Sequence, residues 1–429
     1  MDMRRKAILV GVNLGNQDEF NYSMQELGNL AAACNVDITG QLTQNLQRIN
    51  QTHYIGKGKT DELQEMIDST DADTIICDDE LTSSQIRNLE AVLECDVMDR
   101  TMLILEIFAK RARTRESQLQ VEVARLKYML PRLIGSRESL GRQGGGSGLK
   151  NRGAGETKLE LDRRKIEGKI AQLNKELEDL VAQRKTQRKK RNKKGLPVVS
   201  LVGYTNAGKS TIMNAVLELS HQQADKQVLE KDMVFATLET SVRKVKLDTN
   251  QPFLLTDTVG FINKLPHHLV KAFRSTLEEV VEADVLIHVV DFSNPNHKEQ
   301  IKLTNEILQD IGVLTIPVIY AYNKADLTNR KFPGIEDNNI YLSAQKRIGL
   351  DELLHEISRE IFSNYVECEL FIPYSDGQIV SYFNENAHVL SEEYETDGIK
   401  LMVDCKKSDA ERFQQYVSNK LESTEKEMK

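Results

Sequence analysis

The spacing of apolar and polar residues over the first 110 positions alternates between short apolar runs and helical periods. Apolar runs predict β-strands, and they are found at Ala7–Val12, Asp73–Cys77 and Val97–Met98. Helical spacing predicts α-helices, and it is found at Met24–Ala33, Lys59–Ile67 and Ser83–Leu93. Strands that alternate with helices are typical of a parallel α/β unit, which we predict for residues 1–110.

From about residue 111 to residue 195 the apolar residues follow heptad spacing instead. The first seam consists of Leu119, Val123, Leu126, Leu130 and Leu133. The second seam consists of Leu159, Ile166, Ile170, Leu173, Leu177 and Leu180. Two such seams joined by a loop predict an antiparallel helical hairpin, in which Pro131 is expected to end or kink the first helix. Ordinary amphipathic helices packed on a core remain the alternative.

The segment between the two seams, Gly135–Thr157, is rich in glycine and basic residues and contains almost no apolar ones. A segment of this composition cannot pack by itself, so we predict a loop. Glycines let the backbone approach RNA phosphates, and Arg142, Lys150 and Arg152 supply positive charge. RNA contact is therefore our hypothesis for this loop, with a plain flexible linker as the alternative.

The C-terminal half is predicted to hold two further domains. Gly195-Leu196-Pro197 interrupts the second helix, and a new α/β domain is expected from residue 196 to residue 364. Residues 365–429 are expected to form a small α+β domain of strand, helix, strand, strand and helix. These elements are predicted at Glu367–Ile372, Gly377–Glu385, Ala387–Tyr394, Gly398–Asp404 and Asp409–Leu421. The whole chain is thus expected to be a multidomain α/β protein with domains at 1–110, 111–195, 196–364 and 365–429.

Charge is distributed unevenly over the four predicted domains. The 429 residues have a net charge of −8, yet Arg142–Lys194 contains 17 Lys and Arg residues against 7 Asp and Glu residues, a local net of +10. The remainder therefore carries −18, and eight of the basic residues are crowded into Arg184–Lys194. A dense basic block in an acidic protein indicates a polyanionic partner, whereas a solvated helix face is the alternative.

Other features of the composition bear on location. The longest apolar stretches, such as Val285–Val290 and Leu314–Ala321, are too short to span a bilayer. No small-residue cleavage site follows the first apolar run, so a strand is expected there rather than a signal peptide. The five scattered cysteines lack the spacing of a zinc site and are expected to be free thiols in a reducing cytosol. We therefore expect a cytoplasmic protein without membrane insertion.

A phosphate-binding motif follows the apolar strand Pro197–Val202. The strand runs directly into Gly203-Tyr204-Thr205-Asn206-Ala207-Gly208-Lys209-Ser210, and a helix is predicted to begin at Thr211. This is the GxxxxGKS pattern in its strand–loop–helix setting, where backbone N–H groups and the helix N-terminus surround phosphates. Lys209 is expected to reach the β- and γ-phosphates, and Ser210 to ligate Mg²⁺.

The base is selected by a later segment, Asn323-Lys324-Ala325-Asp326, which follows the predicted strand Ile316–Tyr322. One carboxylate, that of Asp326, can accept two hydrogen bonds from a guanine edge that adenine cannot supply. Ser343-Ala344-Gln345-Lys346 follows another strand, where the backbone N–H of Ala344 can meet the guanine carbonyl. Together with the phosphate-binding motif, these segments predict a GTP site.

Two switch segments complete the predicted site. The strand Leu254–Gly260 ends in Asp257-Thr258-Val259-Gly260, where Asp257 would hold Mg²⁺ through water and the Gly260 N–H would contact the γ-phosphate. Phe235-Ala236-Thr237-Leu238-Glu239-Thr240 offers a threonine for the first switch loop. Thr237 is favoured as the Mg²⁺ ligand there, and Thr240 is the alternative. Four elements in this order and spacing predict a Mg²⁺-dependent GTP hydrolase.

Two residues bear on the rate of hydrolysis, besides the expected catalytic roles of Lys209, Thr237 and Gly260. Phe261 follows Gly260, where many GTPases carry a glutamine that orients the attacking water. Hydrolysis is therefore expected to be slow alone and to be accelerated by a partner. Asn206 stands where an asparagine in some related GTPases helps hold a K⁺ ion, so K⁺-stimulated hydrolysis is our hypothesis, with a loop-shaping asparagine as the alternative.

Four segments of the predicted nucleotide site resemble those of the HflX family of bacterial ribosome-associated GTPases. They are Gly203–Ser210, Phe235–Leu238, Asp257–Phe261 and Asn323–Asp326. The resemblance continues in the N-terminal half and covers essentially the whole chain. The segments that carry it there are Tyr54–Lys59, Asp99–Thr101, Ile107–Ala109, Arg111–Arg113, Gln120–Glu122, Gly153–Lys158 and Asp162–Arg164. Its most specific part is the glycine-rich loop joined to Gly153-Ala154-Gly155-Glu156-Thr157.

The resemblance implies a GTPase that binds the large ribosomal subunit and dissociates stalled or idle 70S ribosomes, particularly under heat or antibiotic stress. The hairpin loop would reach the rRNA of the peptidyl-transferase region. The resemblance adds four expected RNA contacts to the basic loop residues: Asn151, Lys158, Arg163 and Arg164. Three positions depart from the family pattern. Leu149–Gly153 stands where the family usually has Gly-Thr-Arg-Gly, and Lys158 stands where it has glutamine. In the first switch segment, Glu239-Thr240 replaces Asp-Pro. The loop departures concern fine RNA contacts and leave the nucleotide chemistry unaffected.

Two other functions remain open from the sequence. One is a GTP-gated assembly factor of the large subunit, and the other is a regulator of a protein partner such as a membrane protease, with peripheral membrane association. The chain is expected to be a monomer without a DNA partner. Gly56-Lys57-Gly58-Lys59 could cradle a further phosphate, since the family has been linked with ATP use by its N-terminal half, and a basic turn is the alternative.

Overall fold

A computed structural model describes residues 5–135, 150–192, 196–220, 235, 240–246, 252–266, 269, 278–313 and 315–421. The chain divides into two compact units. The first unit comprises Met1–Leu180, Lys231–Glu239 and Val259–Thr276, and the second comprises Val181–Glu230, Thr240–Thr258 and Leu277–Lys429. Val259–Thr276 therefore belongs to the unit that is built from the N-terminal half. The division into four domains stays a prediction.

The first unit contains a four-stranded parallel sheet in the order β2-β1-β3-β4. Its strands are β1 (Lys6–Asn13), β2 (Asp37–Asn45), β3 (Thr74–Cys77) and β4 (Asp96–Asp99). Its helices are α1 (Gln17–Ala33), α2 (Lys57–Thr70), α3 (Ser83–Leu93) and α4 (Arg100–Arg111). The predicted parallel α/β arrangement is confirmed, although β2 and α4 were not predicted.

Local chemistry explains where these elements lie. The strands β1 and β3 are the two central strands of this parallel sheet, and they are buried along almost their whole length, as is usual where helices cover both faces of a sheet. The helix α3 begins with a capping box, in which the side chains of Thr82 and Gln85 each accept a hydrogen bond from the other residue's backbone N–H. The carboxylate of Asp99 caps α4 by accepting a hydrogen bond from the Met102 N–H.

Two long helices follow: α5 (Arg115–Gly135) and α6 (Lys150–Asn192). The helix α5 belongs to the first unit, and α6 belongs to it as far as Leu180. Arg115 binds Glu176 at 2.7 Å, and Lys169 binds Glu122 at 2.6 Å. These pairs advance by seven residues along α5 and retreat by seven along α6, as an antiparallel hairpin requires. The half-buried leucines of the two seams agree with this packing.

One prediction for the hairpin was wrong, and one was narrowed. Pro131 was expected to end or kink α5, and it does not end the helix, which continues to Gly135; one lost N–H bond near a helix end leaves the remaining turns intact. The backbone of Lys150–Thr157, predicted as loop, forms the first turns of α6. A long helix can absorb the roughly 1 kcal/mol that each glycine costs. The remainder of the predicted loop, residues 136–149, lies outside the described residues.

The second unit contains a seven-stranded sheet in the order β10-β11-β9-β8-β5-β7-β6. Its strands are β5 (Val198–Gly203), β6 (Ser241–Lys246), β7 (Pro252–Asp257), β8 (Val285–Asp291), β9 (Val318–Asn323), β10 (Gly334–Glu336) and β11 (Asn339–Tyr341). Its helices are α7 (Lys209–Leu219), α8 (Glu278–Val281), α9 (His297–Asp310) and α10 (Leu350–Ile361). The pairings β7–β5, β5–β8, β8–β9 and β9–β11 are parallel, and the edge strands β6 and β10 pair antiparallel.

A four-stranded antiparallel sheet in the order β13-β14-β12-β15 ends the second unit. Its elements are β12 (Tyr365–Pro373), α11 (Gly377–Asn386), β13 (His388–Tyr394), β14 (Gly398–Lys406), α12 (Lys407–Arg412) and β15 (Val417–Leu421). The predicted helix Asp409–Leu421 was wrong in its second half, because Val417–Leu421 pairs with β12 as an edge strand. The multidomain α/β fold class is nevertheless confirmed.

All five cysteines are free thiols, with Cys95 half-buried and the other four buried. No helix in the described part of the chain combines the length and the apolar character that crossing a membrane requires.

Candidate functional site

The loop between β5 and α7 needs glycine at two positions. Gly203 has φ of +139°, and a Cβ there would lie 2.2 Å from the carbonyl oxygen of Val289. Gly208 has φ of +97°, and its Cβ would lie 2.2 Å from Nδ2 of Asn323. Asn206, between them, is exposed and also left-handed, with φ of +60°. Only glycine tolerates both the left-handed backbone and the close approach at Gly203 and Gly208.

Lys209 is the charged group at the centre of this loop. It is buried, and its Nζ donates hydrogen bonds to the carbonyl oxygens of Gly203 at 3.1 Å and Tyr204 at 2.8 Å. Burial lowers the pKa of the Lys209 ammonium to about 8, against the opposing effect of the Asp257 carboxylate. A buried ammonium whose partners are neutral carbonyls is well prepared to bind an anion.

Two oxygen ligands meet beside Lys209. The hydroxyl of Ser210, in the first turn of α7, donates to Oδ2 of Asp257 at 2.7 Å, at the end of β7. Thr258 is anchored next to them, because its hydroxyl donates to the Leu201 carbonyl at 2.6 Å. Hydroxyl and carboxylate oxygens are the ligands that Mg²⁺ prefers, so the donor set of Ser210 and Asp257 fits this ion.

Asn323 joins the phosphate-binding loop to the segment Ser343–Gln345. Its Nδ2 donates to the Ala207 carbonyl at 2.9 Å, and its Oδ1 accepts from the Ala344 N–H at 2.9 Å. The structure therefore uses the Ala344 N–H, predicted to meet guanine, to hold Asn323. One amide fixes the spacing between the two loops, a role that the sequence did not reveal.

The predicted base-reading residues lie at the carboxyl end of β9. Asp326 is nearly buried at its carboxylate and pairs with the exposed Lys346 at 3.2 Å. Burial opposes ionisation of Asp326, but hydrogen bonds from Ser343 and Lys346 outweigh it and lower the pKa of this carboxyl. The carboxylate is thus held in the acceptor form that reading a guanine edge needs.

Lys324 has a partner that the sequence analysis missed. Its Nζ pairs with Oδ2 of Asp291 at 2.7 Å, and Lys324 itself is left-handed with φ of +61°. Asp291 is the last residue of β8, directly after a buried apolar run. A carboxylate at the carboxyl end of a buried parallel strand is a recognisable signal, and it could have identified this residue.

The other predicted nucleotide residues are placed as follows. Tyr204, Thr205, Ala207 and Ser343 are buried, Thr211 is half-buried, and Gln345 is exposed. Ala236 and Thr237 lie outside the described residues. Phe235 is buried in the first unit, where its ring meets that of Phe108 edge to face at 4.6 Å between centroids. Val259 and Gly260 also belong to the first unit.

The predicted RNA contacts are described only in part. Arg142 lies outside the described residues, and the helix α6 contains Lys150, Asn151, Arg152 and Lys158 by its backbone. Arg163 and Arg164 are exposed on α6, where each pairs with a glutamate one helical turn away. The basic run Arg184–Lys194 continues α6 as far as Asn192. RNA contact stays a prediction.

The basic turn at Gly56–Lys59 starts a helix. Gly56 precedes α2 without a side-chain cap, and its N–H donates to Gln44 Oε1 at 2.8 Å. Lys59 pairs with Glu62 within the same helix at 2.6 Å. These contacts agree with a structural turn, and a phosphate site there stays a prediction.

Family profiles match three consecutive parts of the chain. Residues 21–109 match a profile described as "GTP-binding GTPase N-terminal", and residues 111–191 match "GTP-binding GTPase Middle Region". Residues 198–324 match a profile described as "50S ribosome-binding GTPase". The last match contains the loop of Lys209 and extends to Lys324.

Several curated proteins are similar over nearly the full length. "GTPase HflX" of Caldanaerobacter subterraneus is 45% identical over 414 residues, which cover 96% of this chain and 94% of the relative. "GTPase HflX" of Escherichia coli K12 is 37% identical over 92% of both chains. A solved structure of a GTP-binding protein from Sulfolobus solfataricus with GDP is 26% identical, covers 83% of this chain and 98% of its own, and has a TM-score of 0.45.

Proposed function

The chain belongs to the HflX family of GTPases and is a GTP-hydrolysing enzyme, and from this premise we propose that it binds the large ribosomal subunit and dissociates stalled or idle 70S ribosomes. In this proposal the nucleotide state of the second unit controls the affinity of the enzyme for the ribosome. Stress and antibiotic challenge are the conditions under which stalled ribosomes accumulate and the reaction is needed.

The phosphates are bound by the loop between β5 and α7. Lys209 turns its Nζ from the carbonyls of Gly203 and Tyr204 toward the β- and γ-phosphates, which are stronger acceptors. The backbone N–H groups of Thr205–Thr211 surround the same phosphates at the N-terminus of α7. The two constrained glycines, Gly203 and Gly208, support this role because they allow the backbone to approach closely.

Ser210 and Asp257 hold Mg²⁺, and Thr237 completes the set from the first switch segment. The ion neutralises the charge that develops on the phosphates during hydrolysis. The Gly260 N–H contacts the γ-phosphate, so the segment that begins at Val259 responds to its loss. Asn206 contributes a ligand to K⁺, and hydrolysis is expected to be faster in K⁺ than in Na⁺ buffer.

Guanine is read by Asp326, whose carboxylate accepts two hydrogen bonds from the base. Asn323 keeps Ser343–Gln345 in reach of the base by accepting the Ala344 N–H. The nearly buried carboxylate of Asp326 supports this assignment, because an ionised carboxylate can accept both bonds.

The ribosomal part of the proposal rests on one observation above the others, the match of residues 198–324 to a 50S ribosome-binding GTPase profile. The antiparallel hairpin of α5 and α6 supports it, because two ion pairs and a shared apolar seam make a stiff arm. Basic residues on this arm and in its connection match the polyanionic surface of rRNA.

Two measurements together test the proposal. GTP hydrolysis is measured with and without purified large ribosomal subunits, and 70S ribosomes are sedimented after incubation with the enzyme and GTP or a non-hydrolysable analogue. We expect strong stimulation, because Phe261 cannot orient water, and conversion of 70S particles into subunits. Lys209→Ala serves as the control that lacks the nucleotide-dependent step.

Other outcomes would contradict ribosome dissociation in defined ways. Binding to immature large subunits without splitting of 70S particles would indicate an assembly factor. Absence of stimulation together with intact 70S particles would indicate a protein partner. Binding that is insensitive to salt would also contradict an RNA contact, since neutralised phosphates release counterions.

A further inference from the structure

A shallow cavity of about 260 Å³ lies beyond the carboxyl ends of β8 and β9 in the second unit. Residues 292–295 and His297, from the turn that joins β8 to α9, form one wall, and Thr328 and Arg330 form the other. Of these seven residues Pro295 is exposed and the others are half-buried. The lining contains none of the predicted nucleotide residues that the structure describes, so the cavity is separate from the site for GTP.

Phe292 gives the cavity a rigid aromatic wall. Its ring meets those of His297, Tyr322 and Tyr341 edge to face, at 5.5, 5.6 and 5.2 Å between centroids. Tyr322 and Tyr341 are stacked on each other at 4.9 Å. Edge-to-face contacts favour one orientation of a ring, so Phe292 is held in place before any ligand arrives.

Hydrogen bonds also fix the backbone of this wall. The Phe292 N–H donates to the Asn323 carbonyl at 2.9 Å. The N–H and the hydroxyl of Ser293 both donate to Oδ1 of Asp291, at 3.1 and 2.6 Å. A preformed wall spares a ligand the entropic cost of ordering it, so the geometry is ready for binding as it stands.

Arg330 carries the one permanent charge among the lining residues, and none of them is a carboxylate. Its guanidinium lies over the ring of Tyr341, 3.6 Å from the centroid, which holds the planar group against the protein. Arg330 also pairs with Glu336, whose side chain is 63% exposed. An exposed ion pair contributes little stability, so a phosphate can replace Glu336 as the partner of Arg330.

The combination of a fixed ring and a planar cation defines the chemistry of the ligand. Unpaired bases stack on aromatic rings and on guanidinium groups, and arginine also binds phosphate. Sites for free small molecules enclose most of the ligand and have volumes of roughly 300 Å³ or more. This cavity is smaller, and its walls are at most half-buried. It therefore suits one unit of a longer chain, which neighbouring units also help to hold.

We propose that this cavity binds one unpaired nucleotide of RNA, with the base on Phe292 and the phosphate on Arg330. The inference rests on the RNA contact in the proposed function, and it adds a contact in the second unit. The basic residues of the helical arm attract any phosphate backbone, whereas the cavity requires a base that is free to stack.

The test measures binding of fluorescein-labelled octauridylate to the purified full chain by fluorescence anisotropy. Phe292→Leu keeps an apolar side chain but removes the ring, and Arg330→Gln removes the charge. We expect each to weaken binding about fivefold or more, because stacking or a phosphate contact is lost. Arg330 lies at the surface, so its variant tests the site even where Phe292→Leu disturbs the packing of the neighbouring rings.

A second probe and the salt dependence separate the two contacts. An octamer of abasic residues has phosphates but no bases, so Phe292→Leu should leave its affinity unchanged. Arg330→Gln should reduce the slope of log affinity against log salt by about 0.7, and Phe292→Leu should not. Phe292→Tyr keeps the ring and should bind octauridylate like the parent chain. Lys302→Gln, on the exposed face of α9, is the charge control and should change neither affinity.

Three results would overturn the proposal. The first is that the parent chain does not bind octauridylate, or binds it no better than both variants do. The second is that Phe292→Leu weakens binding of the abasic octamer equally. The third is that uridine monophosphate displaces octauridylate at a similar concentration, which would indicate a site for free nucleotides. Failure of ribosome dissociation is visible separately, because 70S particles would stay intact while octauridylate binding still depended on Phe292.

Discussion

The four-stranded sheet of the first unit and the seven-stranded sheet of the second both reverse strand order beside a central strand, yet they place opposite chemistry there. In the second unit β5 lies between β7 and β8 and leads into glycines, a helix N-terminus and Lys209. In the first unit β3, which pairs with β1, leads into Asp78 and Asp79. The same topology therefore presents an ammonium in one unit and two carboxylates in the other.

The comparison shows that the strand order fixes where polar groups gather, whereas the side chains decide whether the charge there is positive or negative. Close backbone packing by Gly203 and Gly208 opens N–H groups to phosphates, which a Cβ would prevent. Buried carboxylates do the reverse, since they require a cation to compensate for lost hydration. Four predictions follow this contrast, and the change with the largest expected effect is given first.

Removal of the buried carboxylate should damage the first unit most. Asp78→Ala leaves Arg100, which is 1% exposed, with only part of its compensation. We expect a loss of about 3–5 kcal/mol in the free energy of unfolding, measured from urea transitions of the full chain. Asp71→Asn removes an exposed charge of the same unit, keeps a residue type that tolerates the left-handed backbone there, and should leave the transition unchanged. An equal effect of both variants would contradict the stabilising role of the pair between Asp78 and Arg100.

Removal of the buried Lys209 ammonium should weaken nucleotide binding by the second unit. Lys209→Ala is expected to weaken GDP binding by about 2–5 kcal/mol, because a desolvated charge contact is lost. Calorimetric titration with GDP and Mg²⁺ measures this change. Lys302→Ala, on the exposed face of α9, is the matched lysine control. A similar affinity for both variants would exclude Lys209 as a phosphate ligand.

A methyl group at the second constrained glycine should impair both packing and binding. Gly208→Ala introduces a Cβ 2.2 Å from Asn323 Nδ2 on a left-handed backbone, and we expect about 1–3 kcal/mol of destabilisation. Thermal unfolding and GDP affinity report the two effects. Gly168→Ala, on α6 where nothing lies within 4 Å of the added Cβ, is the control and should be neutral or stabilising.

The pH dependence of GDP affinity should reveal the depressed pKa of Lys209. Burial lowers that pKa to about 8, so the free protein loses the ammonium as pH rises through 8. Because the phosphates favour the protonated form, affinity should be constant below this pKa and fall about tenfold for each pH unit well above it. Titrations from pH 7 to pH 9.5 measure this. The same fall in Lys209→Ala would show that another group titrates.

The sequence predicted those parts of the fold whose signals are local. The helix α3 was predicted from its spacing at Ser83–Leu93, which are its observed bounds, and in the structure Thr82 and Gln85 cap its start while Leu89 and Leu93 are buried. The edge strand β2 was missed because most of its residues are polar. The helix α4 was missed although its residues are buried on most sides, because it follows β4 directly and no separate start signal was recognised. The last strand depends on pairing with β12, which the sequence of Val417–Leu421 alone does not show.

In the candidate site too, residues in local motifs were predictable, whereas contacts between distant segments were not. The loop Gly203–Ser210 and the carboxylate of Asp326 were predictable, because each belongs to a motif with fixed spacing and known chemistry. The bridge made by Asn323 and the ion pair of Lys324 with Asp291 join residues from segments that are distant in the sequence. Such contacts depend on tertiary packing, and a single sequence does not contain the distances that define them.

The ion pair between the Lys264 Nζ and Asp78 Oδ2, 2.5 Å apart, sets an order of events during synthesis. The two residues are 186 positions apart, and at 5–20 residues per second a ribosome needs roughly 10–40 s to add the intervening chain. Throughout that interval Asp78 can pair with Arg100 but not with Lys264. The N-terminal sheet therefore gains this contact only after the phosphate-binding loop has been made.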